Sequence, residues 1–120
     1  SYKDAKPVQV DLSKLSSEEL VELQLHRNDW YVRHARRILQ ERGPNPAIHE
    51  RLAEMAFKHP DETRRLRGLW ALHVTGGLNE ERIQKGLSDE SEFVRAWTIQ
   101  LLAEDRLFTA QNMTEFIRLG

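Results

Sequence analysis

Five histidines, three tryptophans and eighteen lysines and arginines are the side chains of this 120-residue chain with the means to do chemistry. His26, His34, His49, His59 and His73 invite a metal or haem site. Such a site needs three or four donors converging on one point, and a helix delivers them as i,i+4 pairs or as an HExxH grouping. None of the five pairs at i,i+4, and none sits in an HExxH arrangement. His73 aligns with the core leucines Leu39 and Leu101, so its expected role is a buried structural ring bonded to a helix-end carbonyl or to Thr75. The tryptophans could form a stacking surface for a sugar or a base. Trp70 and Trp97 lie within apolar stripes and are expected in the core. Trp30, beside Tyr31 at a helix start, is expected at an exposed hairpin tip. Enzyme signatures are otherwise missing from the sequence. There is no nucleophile elbow, and Thr75-Gly76-Gly77-Leu78 reads as a helix stop because the strand a phosphate loop must follow is absent.

Three arginines recur in one context: Val32-Arg33, Leu66-Arg67 and Val94-Arg95. Each follows an acidic, turn-prone segment, namely Asn28-Asp29-Trp30-Tyr31, His59-Pro60-Asp61-Glu62 and Ser88-Asp89-Glu90-Ser91-Glu92. Self-similarity at a period of roughly 20–50 residues marks a stacked-repeat protein. The expected structural role of Arg33, Arg67 and Arg95 is a ladder in which each pairs with the turn carboxylate Asp29, Asp61 or Asp89 of its own or the next unit. The planar guanidinium suits that task because it serves a carboxylate and backbone carbonyls together. The functional alternative is a grip on an acidic ligand. Arg36 and Arg37, with Arg33 and Arg42, make one basic helix face, and Arg64, Arg65 and Arg67 make another. Glu41, Glu50, Glu54 and Glu62 offset them, which predicts solvated, ion-paired faces. The candidate interaction surface is Trp30, Tyr31, Arg36 and Arg37.

The elements that must position these residues are helices. Ser16-Ser17-Glu18-Glu19 is a capping box and predicts a helix over 17–26. Asn28 or Asp29 caps the next, over 29–42, with Val32, Ala35 and Leu39 inward, and Gly43-Pro44 stops it. Asn45-Pro46 starts a helix carrying Ile48, Leu52 and Met55 or Ala56, ended by His59-Pro60. Asp61 caps its partner, which carries Leu66, Leu69, Trp70 and His73 and ends at Gly76-Gly77. Asn79 caps a shorter helix with Ile83 and Leu87. Its partner carries Phe93, Val94, Trp97 and Leu101. Asp105-Arg106-Leu107-Phe108 is expected as a connector to a last short helix capped by Asn112-Met113-Thr114-Glu115, with Met113, Phe116 and Ile117 folding back. Period-two alternation is absent. The fold class is therefore all-α: three helical hairpins plus a half-unit, stacked by analogy with known helical repeats as a short right-handed α-solenoid.

Composition sets the outer bounds. The chain fits one domain, with residues 1–15 expected as a lead-in or linker and 16–120 as the repeat domain. Charged residues make up 31% and hydrophobic ones 39%, which suits a folded helical protein. The net charge of −1 supplies no general field for nucleic acid or for an anionic membrane. No apolar run approaches the roughly 18 residues that cross a bilayer, so no membrane insertion is expected. The absence of cysteine excludes disulfides, thiolate metal sites and a covalently attached c-type haem within this segment, and fits any compartment. The chain opens on Ser1 without an initiator methionine, as an excised piece would.

The strings Leu25-His26-Arg27-Asn28-Asp29-Trp30-Tyr31-Val32-Arg33-His34-Ala35 and Leu87-Ser88-Asp89-Glu90-Ser91-Glu92-Phe93-Val94-Arg95-Ala96-Trp97 resemble the HEAT-like repeats also found in phycobilin lyases. The runs 29–42, 66–78 and 94–102 together resemble the middle segments of large membrane-bound dehydrogenases, or haem-binding proteins, of planctomycete-type bacteria. The likeness spans about residues 16–107. In that family a β-propeller precedes the helical repeats and a c-type cytochrome domain follows them. The resemblance implies a scaffold segment of an exported, periplasmic oxidoreductase. It carries no haem ligand over to any residue here, because Cys-x-x-Cys-His does not occur.

The function expected from these features is a non-catalytic HEAT-like module that spaces or joins domains and binds protein. It has no catalytic, metal or cofactor residue of its own, and any c-type haem lies elsewhere in the parent polypeptide. Two rivals remain: haem-linked electron transfer through His73 or His26, and nucleic-acid binding by the arginine face, as in alkylation-repair HEAT-like glycosylases.

Overall fold

The computed structural model describes residues 11–119, with side chains through Leu107. Six α-helices carry the fold, and no strand occurs among the described residues. Helix α1 (Ser17–Glu22) opens on the expected capping box: the Ser16 hydroxyl accepts from the Glu19 amide at 3.1 Å, and Glu19 accepts from the Ser16 amide at 2.8 Å. A 3-10 turn, Leu23–Leu25, replaces the last α-turn. Its carbonyls are taken by arginines of a neighbouring helix, so the chain tightens there instead of closing i,i+4 bonds. Helix α2 (Asp29–Arg42) is capped by Asn28, α3 (Pro46–Lys58) by Asn45 and α4 (Glu62–Val74) by Asp61. Helix α5 (Glu80–Leu87) is capped by Asn79. In α6 (Glu92–Leu119) the Ser91 hydroxyl accepts from the Val94 amide. These caps satisfy amides that no intrahelical carbonyl can reach.

The helices pack as hairpins, α1 with α2, α3 with α4 and α5 with α6. Between hairpins, α1 lies on α3 and α3 on α5, while α2 lies on α4 and α4 on α6. The core runs along the inside of both rows. Leu20, Leu52, Leu69 and Leu72 are completely buried with Ile48, Val32 and Val94, each worth about 1.5–3 kcal/mol of transfer free energy. At the α4–α5 turn, Gly76 holds φ at 79° as the left-handed stop of α4. Gly77 follows because a Cβ there would overlap the His49 ring.

Two expected boundaries differ. The stretch 11–15 is not a linker: Leu12 is buried, and Arg42 donates to the carbonyls of Ser13 at 3.0 Å and Leu15 at 2.8 Å and to the Ser17 hydroxyl at 2.9 Å. Residues 1–10, the rest of the expected lead-in, lie outside the described residues. The expected connector 105–108 is helical, and α6 runs unbroken for 28 residues. No glycine or proline interrupts 92–119, and a mid-helix asparagine costs under about 1 kcal/mol. Asn112 therefore has no helix to start. The expected fold-back of Met113, Phe116 and Ile117 concerns side chains outside the described ones.

Candidate functional site

The recurring acidic turns are built by one small motif. Two residues before each inner-helix cap, a side chain accepts the cap's own amide: His26 Nδ1 from Asn28, His59 Nδ1 from Asp61, both at 2.9 Å, and Asp89 Oδ1 from Ser91 at 2.8 Å. Accepting at Nδ1 leaves the proton of each neutral imidazole on Nε2. His26 and His59 are thus turn acceptors, equivalent to Asp89 in the third unit. The motif was missed in the sequence because its third member is a carboxylate.

Of the three recurrent arginines, Arg33 makes the expected carboxylate pair, and Arg67 and Arg95 go to backbone carbonyls instead. Counted from the caps Asn28, Asp61 and Ser91, Arg33, Arg67 and Arg95 are the fifth, sixth and fourth residues. At about 100° per residue they point in three directions. Arg33 pairs with Asp29 at 2.9 Å in solvent. Arg67 donates to the carbonyls of Gln24 at 3.1 Å and His26 at 2.7 Å, across to the first hairpin. Arg95 donates to the carbonyls of Asp89 at 2.7 Å and Glu90 at 3.2 Å in its own turn. The Asp61 carboxylate goes to Arg64 at 3.2 Å, and Asp89 to Arg65 in a largely buried pair. Arg64, expected to point outward, also donates to Leu25 O at 3.0 Å. Helix α4 therefore holds the inter-helix turn of the first hairpin with Arg64 and Arg67 and that of the third hairpin with Arg65.

The candidate interaction surface divides. Trp30, Arg33, His34 and Arg37 stand at i, i+3, i+4 and i+7 on α2, opposite buried Val32, Ala35 and Leu39, and line a cleft of about 300 Å³. Trp30 is exposed and stacks on His34, with centroids 5.0 Å apart and an 18° tilt. Tyr31 turns inward against the core and His26, at 4.8 Å. Arg36 also leaves the surface. Its guanidinium carbon lies 5.4 Å from the Trp70 ring centroid, a cation–π contact. Burial lowers the Arg36 pKa, Arg33 and Arg67 act in the same direction, and Asp29 opposes them. Trp70 in turn meets Trp97 edge-on at 5.2 Å, and both pack on the core.

The buried histidine is His49, not His73. His49 Nε2 donates to the Thr75 carbonyl at 3.0 Å, locking α3 to the end of α4. His73 is half-buried, with Nδ1 3.8 Å from the Asp105 carboxylate of α6. In the cap register His73 is the twelfth residue, whereas Leu39 is the eleventh and Leu101 the tenth, so the three do not share a position and the burial of the leucines does not carry over to His73. Among the described residues no three histidine or acidic side chains converge on one point. No described helix is long and apolar enough to cross a membrane. No protein family, curated protein or solved structure matches the chain.

Proposed function

We propose that the chain is a non-catalytic helical-repeat scaffold, a short right-handed solenoid of HEAT-like hairpins that joins or spaces domains of a larger exported oxidoreductase. The observation that supports this reading most is the packing order: each helix lies on its hairpin partner and on the equivalent helix of the next hairpin. In such an array most side chains bury neighbours, and the exposed faces remain for partners. The cleft of Trp30, Arg33, His34 and Arg37 is the protein-binding face in this reading. Its rigid aromatic and two guanidinium groups suit an acidic segment of another domain or protein.

The test is a pair of titrations of the chain, haem followed by absorbance and zinc by calorimetry, both at micromolar protein. Flat responses are expected, because scattered histidines make only weak, exchangeable sites. A stoichiometric response lost in His26→Ala or His73→Ala would replace the scaffold with the electron-transfer reading. A salt-dependent DNA titration with a slope of several charges would favour the nucleic-acid rival instead.

A further inference from the structure

In the cap register, Gly68 of α4 and Thr98 of α6 are both the seventh residue, and each makes the tight approach to its hairpin partner. Ala71 and Leu101, both the tenth, are both buried. The two helices are therefore equivalent position by position. Helix α4 meets the following hairpin through its fourth, ninth and twelfth residues: Arg65 to Asp89, Trp70 to Trp97 and His73 to Asp105. The same positions of α6 are Arg95, Gln100 and Ala103, and all three are exposed. The eighth position makes the contrast sharpest. Leu69 is fully buried, whereas Ile99 is 58% exposed. Around it Ala96 is bare, with Phe93 56% and Leu107 61% exposed. Exposed apolar rows of this kind are uncommon on a helix whose opposite face is already buried.

We propose that this face of α6 receives a helical hairpin of a partner protein whose inter-helix turn carries a carboxylate opposite Arg95. The occupant's chemistry follows from the existing junction. Arg65, the fourth residue of α4, takes Asp89 from the turn of the hairpin stacked on it, and Arg95 is its equivalent. An apolar helix then covers Ala96, Ile99, Ala103 and Leu107, as α6 itself covers α4. Head-to-tail stacking of a second copy fits poorly, because its first turn carries His26, not an acid, at the Asp89 position.

The proposal rests on the stacked-module reading and is tested with the chain itself. The probe is a synthetic peptide of residues 79–107, which carries the acidic turn and the two helical segments that stack on the second hairpin in the chain and can fold onto the face as it binds. Binding to the chain is followed by calorimetry, with circular dichroism confirming that each variant is folded. Micromolar binding is expected, weakened at least about tenfold by Ile99→Asp and by Arg95→Glu in the chain. A peptide carrying Asp89→Lys should recover binding to the Arg95→Glu chain, which a merely sticky apolar face would not produce. Absence of binding at about 100 μM, or binding indifferent to both substitutions, would remove the docking face. So would a dimer of the chain that dissociates on Ile99→Asp, since the face would then belong to a second copy. Any of these results beside flat haem and zinc titrations leaves the scaffold standing without this partner.

Discussion

Two places before each inner-helix cap, His26, His59 and Asp89 perform one task with two chemistries, accepting the cap's amide. The acceptor matters more than the ring. His59→Asp should therefore hold stability within about 0.5 kcal/mol of wild type, while His59→Ala should lose about 1 kcal/mol, the usual worth of such a bond. Urea denaturation separates the two, and equal losses would show that ring packing is what counts. The arginines rank by reach. Arg67 binds two carbonyls of another hairpin from a half-buried position, whereas Arg33 pairs with Asp29 while both are largely exposed. Arg67→Ala should cost about 1–3 kcal/mol and Arg33→Ala under about 0.5. Comparable shifts in the denaturation midpoint would end that ranking.

At the scale of elements, the caps carry a pH signature. The Arg64 amide, and then its guanidinium, hold the Asp61 carboxyl below its ordinary value of 3.8. A lowered folded value contributes stability above the unfolded value, and that contribution is lost as pH falls through the folded one. Asp61→Asn keeps the cap oxygen but not the charge. The wild type's advantage over it should be full near neutrality and vanish on acidification below about pH 4, and an advantage that grows in acid would reverse the assignment. Helix α6 makes a sharper prediction. If residues 105–108 formed a connector, Arg106→Pro would be harmless. In a continuous helix it removes a hydrogen bond and clashes with the preceding turn, a penalty of about 3 kcal/mol locally. Far-ultraviolet circular dichroism should show lost helicity, and an unchanged spectrum would restore the connector.

Across the whole molecule, α4 ties the hairpins together, reaching back with Arg64 and Arg67 and forward with Arg65. The Arg65–Asp89 pair is the main charged link to the third hairpin, with little solvent to screen it. Each single alanine substitution should destabilise by about 3–5 kcal/mol, because it strands a buried charge. The double variant should lose much less than the sum, giving a coupling of at least about 1 kcal/mol in a mutant cycle. Additive losses would mean that the two side chains do not act as a pair.

Much of this architecture was legible in the sequence, because caps and stops are local chemistry. Asn28, Asn45, Asp61 and Asn79 start helices where an oxygen two or three residues ahead of an amide must, and Gly43 and Gly76 stop them where the backbone turns left-handed. The apolar stripe Ile48, Leu52, Met55 likewise declared its buried face by spacing alone. Partners were not legible. Val32-Arg33, Leu66-Arg67 and Val94-Arg95 look alike as strings, but a one-residue shift from the cap swings a side chain by about 100°. Only the tertiary arrangement decided that Arg67 would cross to the first hairpin, that Arg65 and not Arg67 would meet a turn carboxylate, and that His49 would be buried in place of His73. Local sequence determines where a helix begins and which stripe is apolar. What each long side chain touches depends on the angle and distance of the next helix, which no single segment encodes.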